Sequence, residues 1–208
     1  MFVDIHTHSF TPATNPAIRN LTFDMACTIA ASDEKGFFSA GIHPWQAGEY
    51  SAELFEKLTT WTNDIRFVAI GECGLDKHSQ FPLELQSYVF EQHIKLSEKL
   101  QKPLIIHCVG CFNELFVLKK KMNPHQLWII HGFRGKPELA GQALKAGCAL
   151  SYGEHFNPGS VRLTPTDRLY IETDESSMPV SEIYQSIALI KQCDPEELSA
   201  GEKLINRD

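Results

Sequence analysis

The chain has 208 residues, 43% of them hydrophobic and 22% charged, a composition that excludes a disordered or collagen-like protein. Its formal net charge of −7 at pH 7 argues against a broad, non-specific nucleic-acid-binding face, because such a surface repels phosphates on average. No apolar run approaches the roughly 20 residues that a membrane span needs. The opening Met1-Phe2-Val3-Asp4-Ile5-His6 has no basic region followed by an apolar stretch, so it does not read as a secretory signal. The expectation is one cytoplasmic domain over residues 1–208, with no membrane partner and no inferable protein partner. The six cysteines are then expected to be reduced, and the Cys108-Val109-Gly110-Cys111 pair to serve packing, since no second CxxC follows it.

In chain order, short apolar runs alternate with amphipathic segments. Phe2-Val3 reads as the first strand, and residues 18–23 as a weaker candidate. Phe37-Phe38-Ser39-Ala40 follows, then a helix over 52–60, then the strand Phe67-Val68-Ala69-Ile70. The strongest helical pattern covers 82–100, with Pro82 at the first helical position. Leu85, Val89, Leu96 and Leu100 share one stripe of it, and His93 lies at the stripe's boundary. Glu84 near its start and Lys95 and Lys99 near its end complement the helix dipole. Leu104-Ile105-Ile106, a helix over 112–121, Leu127-Trp128-Ile129-Ile130 and a helix over 137–145 come next. A weaker strand over 148–152, the strand Leu169-Tyr170-Ile171 and a helix over 180–192 complete the series. Unalternated apolar runs suit strands buried on both faces, as in parallel sheets. Up to eight such strands alternating with helices predict a TIM-type (β/α) barrel, shortened or distorted to fit a chain below the usual length of about 250. An open doubly wound sheet ranks second, for no GxGxxG follows the first strand.

Nearly every strong run ends in a metal-binding residue type. The first leads to His6 and His8, Val68-Ala69-Ile70-Gly71 to Glu72, Leu104-Ile105-Ile106 to His107, Trp128-Ile129-Ile130 to His131, and Tyr170-Ile171-Glu172-Thr173 to Asp174. Barrel strands converge on one mouth at their C-terminal ends, so these six are the expected ligands. His6 and His8 are two apart and therefore face the same way along a strand. A single histidine after a strand is most often structural, and His-x-His arises often by chance; four histidines and two carboxylates at successive strand ends do not. Two divalent ions are expected. Imidazole-rich donors favour Zn²⁺, Mn²⁺ or Ni²⁺, while Mg²⁺, which prefers oxygen, stays in the set. Glu72 is the natural carboxylate to bridge them. His43 also follows a strand and is expected to touch substrate or to be structural. Glu172 is expected to orient a ligand histidine from behind or to be a buried hydrogen-bonding group. His78, His125 and His155 belong to surface loops.

Asp4-Ile5-His6-Thr7-His8, Gly41-Ile42-His43-Pro44, Ala69-Ile70-Gly71-Glu72-Cys73-Gly74-Leu75-Asp76, Pro103-Leu104-Ile105-Ile106-His107, Ile130-His131-Gly132-Phe133-Arg134-Gly135 and Glu172-Thr173-Asp174 together resemble the TatD family of metal-dependent hydrolases, within the wider amidohydrolase-like barrels. They occur in the family's order across nearly the whole chain. The resemblance implies a TIM-like barrel, a divalent-metal site built from His6, His8, Glu72, His107, His131 and Asp174, and hydrolysis, with DNA 3′-exonuclease activity known for some relatives. Relatives carry an arginine two residues after the third histidine, where this chain has Val109, and a longer loop after Glu-Thr-Asp. The chain thus resembles a shortened branch.

The expected activity is metal-dependent hydrolysis of a phosphodiester, in DNA or a small molecule, with Asp174 and Glu72 as catalytic carboxylates and Arg134 as the replacement phosphate clamp. The alternatives are hydrolysis of a small amide, lactone or ester by the same centre, and a metal-stabilised binding module without catalysis.

Overall fold

In a computed structural model, which describes residues 1–9 and 14–206, the chain runs β1 Asp4–Thr7, β2 Ala17–Leu21, α1 Phe23–Ala30, β3 Phe37–Ala40, α2 Ala52–Thr62, β4 Phe67–Asp76, α3 Leu83–Leu100, β5 Leu104–Val109, α4 Phe112–Met122, β6 Trp128–Ile130, α5 Pro137–Lys145, β7 Cys148–Tyr152, α6 Pro158–Leu163, β8 Leu169–Ile171, α7 Val180–Lys191 and α8 Glu202–Ile205. The strands follow one another in the sheet in chain order, and the paired strands described below are parallel, as strand–helix alternation requires. Among the described residues no helix is long and apolar enough to cross a membrane.

Packing divides the chain into two compact units, Asn20–Trp128 and a discontinuous one formed by Met1–Arg19 with Ile129–Asp208. In the first, β3 pairs with β4 and β4 with β5, and the Leu104 N–H donates to the Leu127 carbonyl at the edge of β6. The Asn20 side-chain oxygen accepts from the Ser39 hydroxyl at 3.1 Å and the Glu72 N–H at 2.8 Å, tying β2, β3 and β4 together. Every residue of β4 is buried, which explains the absence of alternation in its sequence. Two of its glycines are dictated by the close approach of β5. A Cβ at Gly74, whose φ is +146°, would lie 2.0 Å from the His107 carbonyl oxygen, and one at Gly71, φ +139°, 2.3 Å from that of Ile105. In the second unit β1 pairs with β2 and β7 with β8. A parallel bridge between Thr7 and Asp174 joins the first strand to the segment leaving the last.

The departures from the expected elements have local causes. β1 starts at Asp4 rather than Phe2, because the Tyr184 hydroxyl accepts from the Val3 N–H and donates to the Val3 carbonyl, removing both from any ladder. Phe2 stacks on the Tyr184 ring. The strand expected over 18–23 ends at Leu21, since Thr22 caps a helix that begins at Phe23 by accepting from the Met25 N–H. Pro82 is the N-cap of α3, in an extended conformation, and not its first helical residue. His93 is fully buried instead of lying at the edge of the stripe. α3 centres its packed face on Gln86, Val89, Phe90, His93, Ile94 and Ser97, which leaves Leu85 and Leu100 half-buried.

Candidate metal centre

The discontinuous unit gathers four of the expected ligands. His6 is completely buried on β1, and His8 emerges exposed just beyond it. Their Nε2 atoms lie 3.7 and 3.5 Å from the same Asp174 oxygen. The His131 ring, leaving β6, is 4.4 Å from that of His6. Ligand atoms of His6, His8 and Asp174 fall within 4.8 Å of one another, as do those of His131, Glu172 and Asp174. Asp174 reaches this position through a left-handed backbone, φ 55°, which a short Asp tolerates. Its N–H donates to the His6 carbonyl and its carbonyl accepts from the His8 N–H.

Two acids stand behind these groups. Glu172 is wholly buried; one oxygen accepts from the Gly132 N–H at 2.6 Å and lies 3.3 Å from His131 Nδ1. Burial raises its pKa, but the charge and hydrogen bond of His131, with His6 beyond, outweigh this and hold it below the ordinary value. The geometry fits both readings expected of Glu172, a buried hydrogen-bonding acid and one that orients a histidine from behind. Asp4 accepts from the Thr173 hydroxyl at 2.6 Å, from the Thr173 N–H and from the His6 N–H. It thereby locks β1 to the Glu-Thr-Asp segment. Burial pushes its carboxyl up to about 7 against those hydrogen bonds.

The Asn20–Trp128 unit holds a second cluster. Glu72, nearly buried, places Oε1 2.8 Å from His107 Nδ1 and 3.4 Å from His43 Nε2. The ligand atoms of these three residues lie within 4.8 Å of one another. His43 caps the 3₁₀ turn Pro44–Glu49, its Nδ1 accepting from the Trp45 N–H. It therefore sits within ligand distance of Glu72 and His107. His107 Nε2 is 2.9 Å from Asp76 Oδ2, which also accepts from the Trp45 indole N–H at 2.8 Å. Burial raises the Asp76 pKa; hydrogen bonds from the His78 N–H, His107 and Trp45 bring it below the usual carboxylate range. Gln86 from α3 grips the Asp76 backbone, accepting from its N–H and donating to its carbonyl. Mixed imidazole and carboxylate donors within ligand reach suit Zn²⁺, Mn²⁺ or Ni²⁺, and the acids hydrogen-bonded to them supply the orienting layer such sites require.

Sequence reasoning gave no role to Asp76, Trp45 or Asp4. Asp76 closes the Gly-Glu-x-Gly-Leu-Asp stretch and Asp4 opens the Asp-Ile-His-Thr-His stretch, signals available in the sequence; Trp45 showed none beyond its place two residues after His43. Arg134 is exposed between β6 and α5, and His78, His125 and His155 are exposed as expected.

A family described as TatD related DNase matches residues 5–201. The 3′-5′ ssDNA/RNA exonuclease TatD of Erwinia amylovora is 30% identical over 190 residues, covering 78% of this chain and 73% of that protein. An uncharacterized metal-dependent hydrolase of Buchnera aphidicola is 33% identical over 145 residues, 65% of this chain but only 54% of that protein. This chain thus spans little more than half of some relatives it matches. Among solved structures, YJJV, a TatD homologue from Escherichia coli K12, superimposes with a TM-score of 0.84 at 20% identity, covering 98% of this chain and 97% of that one. A TatD-family hydrolase from Entamoeba histolytica gives 0.78 at 18% identity, covering 98% and 96%. At such identity the superpositions speak to fold, a TIM-type barrel, and the sequence match over nearly the whole chain speaks to kinship: the chain belongs to the TatD related DNase family.

Proposed function

We propose that the protein is a divalent-metal-dependent phosphodiesterase acting on single-stranded nucleic acid as an exonuclease. The observation that carries this reading is the meeting of His6, His8, His131 and Asp174 in one unit, with Glu172 fixing His131 from behind. In this reading those four hold one ion, and Glu72 and His107, with His43, hold a second. The names of several relatives as ssDNA/RNA exonucleases support the choice of a nucleic-acid phosphodiester over an amide, lactone or carboxylic ester.

Divalent ions supply Lewis acidity and lower the pKa of water from about 15.7 toward about 7. The residues do the rest. Asp174, with one carboxylate oxygen 3.5–3.7 Å from two imidazoles, accepts the proton of the attacking water as its oxygen bonds to phosphorus and the P–O3′ bond breaks, leaving a 3′-hydroxyl on the shortened strand. Glu172 and Asp76 hold His131 and His107 in fixed ring orientations. Arg134, exposed just past β6, holds a non-bridging phosphate oxygen through its planar fork.

Three measurements test this. Elemental analysis after reconstitution should find up to two ions per chain, and stoichiometry near zero in excess Zn²⁺, Mn²⁺, Ni²⁺ and Mg²⁺ refutes the centre. A panel of 5′-labelled single-stranded DNA, duplex DNA and a neutral ester should show shortening of the single strand first; hydrolysis of the ester alone refutes the nuclease reading. Arg134→Ala should lower kcat/KM on the single strand by roughly 10- to 100-fold, the worth of a charge-assisted hydrogen bond. Metal content and the rate on a neutral ester should stay unchanged. Equal loss on both substrates would assign Arg134 a structural role instead.

A further inference from the structure

We infer that Trp45 is the platform on which the substrate's terminal nucleobase stacks, which makes it a substrate-binding residue for single-stranded nucleic acid. The inference rests on the nucleic-acid reading above and extends it to a named side chain.

Trp45 is 58% exposed, although an indole is among the side chains with most to gain from burial. Loose side chains of this size fold down onto the surface; this one is held in place. Its indole N–H donates to Asp76 Oδ2 at 2.8 Å, the same oxygen that lies 2.9 Å from His107 Nε2. Its ring meets that of His43 edge-on, with centroids 5.5 Å apart and planes at 86°. Its backbone N–H is taken by His43 Nδ1 at 3.1 Å. The turn that carries it is pinned by the Ser79 hydroxyl, which donates to the Pro44 carbonyl at 2.9 Å. The indole is therefore anchored at its nitrogen and along one edge, beside two histidines of a candidate metal cluster, while much of its surface faces solvent. Core packing does not require this arrangement, and a hydrogen bond to Asp76 alone could be made by a smaller donor. A rigid, exposed aromatic next to a phosphodiester-cleaving centre matches the way single strands are gripped. Every base offers a π-face, so stacking fixes the nucleotide without reading sequence. The chain's net negative charge adds to the argument, because attraction from a broad basic surface is unavailable and the bases must contribute to binding.

The test compares Trp45→Phe and Trp45→Ala with the unaltered protein on a short single-stranded oligothymidylate and on the same oligomer with an abasic terminal residue. Stacking predicts that Trp45→Ala raises KM on the intact oligomer by roughly 5- to 150-fold, the loss of one base–aromatic stack, that Trp45→Phe recovers most of it, and that on the abasic oligomer all three proteins share one KM. Binding of the intact oligomer in the presence of EDTA, read by fluorescence anisotropy, should follow the same order. If Trp45 instead serves only to position Asp76, Trp45→Phe falls with Trp45→Ala, the loss appears in kcat, and the abasic oligomer suffers equally; that result overturns the inference. Unchanged KM in Trp45→Ala, with the unaltered protein cleaving the oligomer, overturns this inference and leaves the exonuclease reading standing. Failure of the unaltered protein to bind or cleave the oligomer overturns both.

Discussion

Asp174→Asn is expected to lower phosphodiester hydrolysis by about 10²–10⁴-fold, the usual worth of a positioned general base, while leaving the fold intact. The structure separates the two roles of this residue. Its architectural work is done by the backbone, through the bonds to the His6 carbonyl and the His8 N–H, and its φ of 55° suits Asn as well as Asp. The chemical role proposed for it rests on a carboxylate with one oxygen 3.5–3.7 Å from two imidazoles. The amide keeps an oxygen for coordination but loses the charge and the basicity. Thermal unfolding within a few degrees of the unaltered protein, at least one ion retained, and near-complete loss of turnover is the expected pattern. Near wild-type turnover would move the base to Glu72.

The second large effect concerns stability and pH. His93 is fully buried, its Nε2 accepting from the Ile42 N–H at 2.9 Å and its Nδ1 2.8 Å from the Val89 carbonyl, to which it donates. The Phe55 ring lies edge-on against it. Protonating Nε2 would aim a proton at another N–H in an apolar setting, and burial accordingly lowers the pKa to about 4, only partly opposed by the Val89 bond. The unfolded chain binds this proton near the ordinary histidine value of 6.5 while the folded chain resists it. Stability from this group is thus complete above about pH 6.5 and is lost as pH falls toward 4. The loss amounts to roughly 2–3 kcal/mol between pH 7 and 4.5, at about 1.4 kcal/mol per pKa unit. Urea unfolding at the two pH values should show His93→Gln, which retains an acceptor and a donor, losing less stability on acidification by about that amount. An identical pH dependence in the two proteins would mean that His93 does not stay neutral as described.

The candidate ligands were legible because a parallel barrel leaves a simple trace: an apolar run, then a chemical group at its C-terminal end. His6, Glu72, His107, His131 and Asp174 all carry that trace. The residues behind them do not, because their role depends on which side chain the fold sets beside them. Asp76 becomes an orienting acid only when β5 lies alongside β4 and puts His107 opposite Gly74. His93 reads as a boundary residue on a helical stripe drawn through leucines, and it is buried because its ring nitrogens find one backbone donor and one acceptor. Pro82 and Tyr184 show the same limit at element ends, where a single carbonyl or hydroxyl decides whether a backbone group joins a helix or ladder.

The discontinuity of one unit bears on how the protein is made. Val3 and Ile5 pack against the position of Gly201, where an added Cβ would meet both within 3.1 Å, and the Val3 backbone is satisfied by Tyr184. During synthesis, residues 20–128 can collapse as they emerge, since that unit is continuous in the chain and such units fold as they appear. The first strand has no such option. It is made before Tyr184 and Gly201, which pack on it, and must wait with only β2 beside it until they emerge. His6 and Asp174 are therefore brought together only after the whole continuous unit has been made, so a nascent chain that stops short of residue 174 cannot assemble this candidate ligand set.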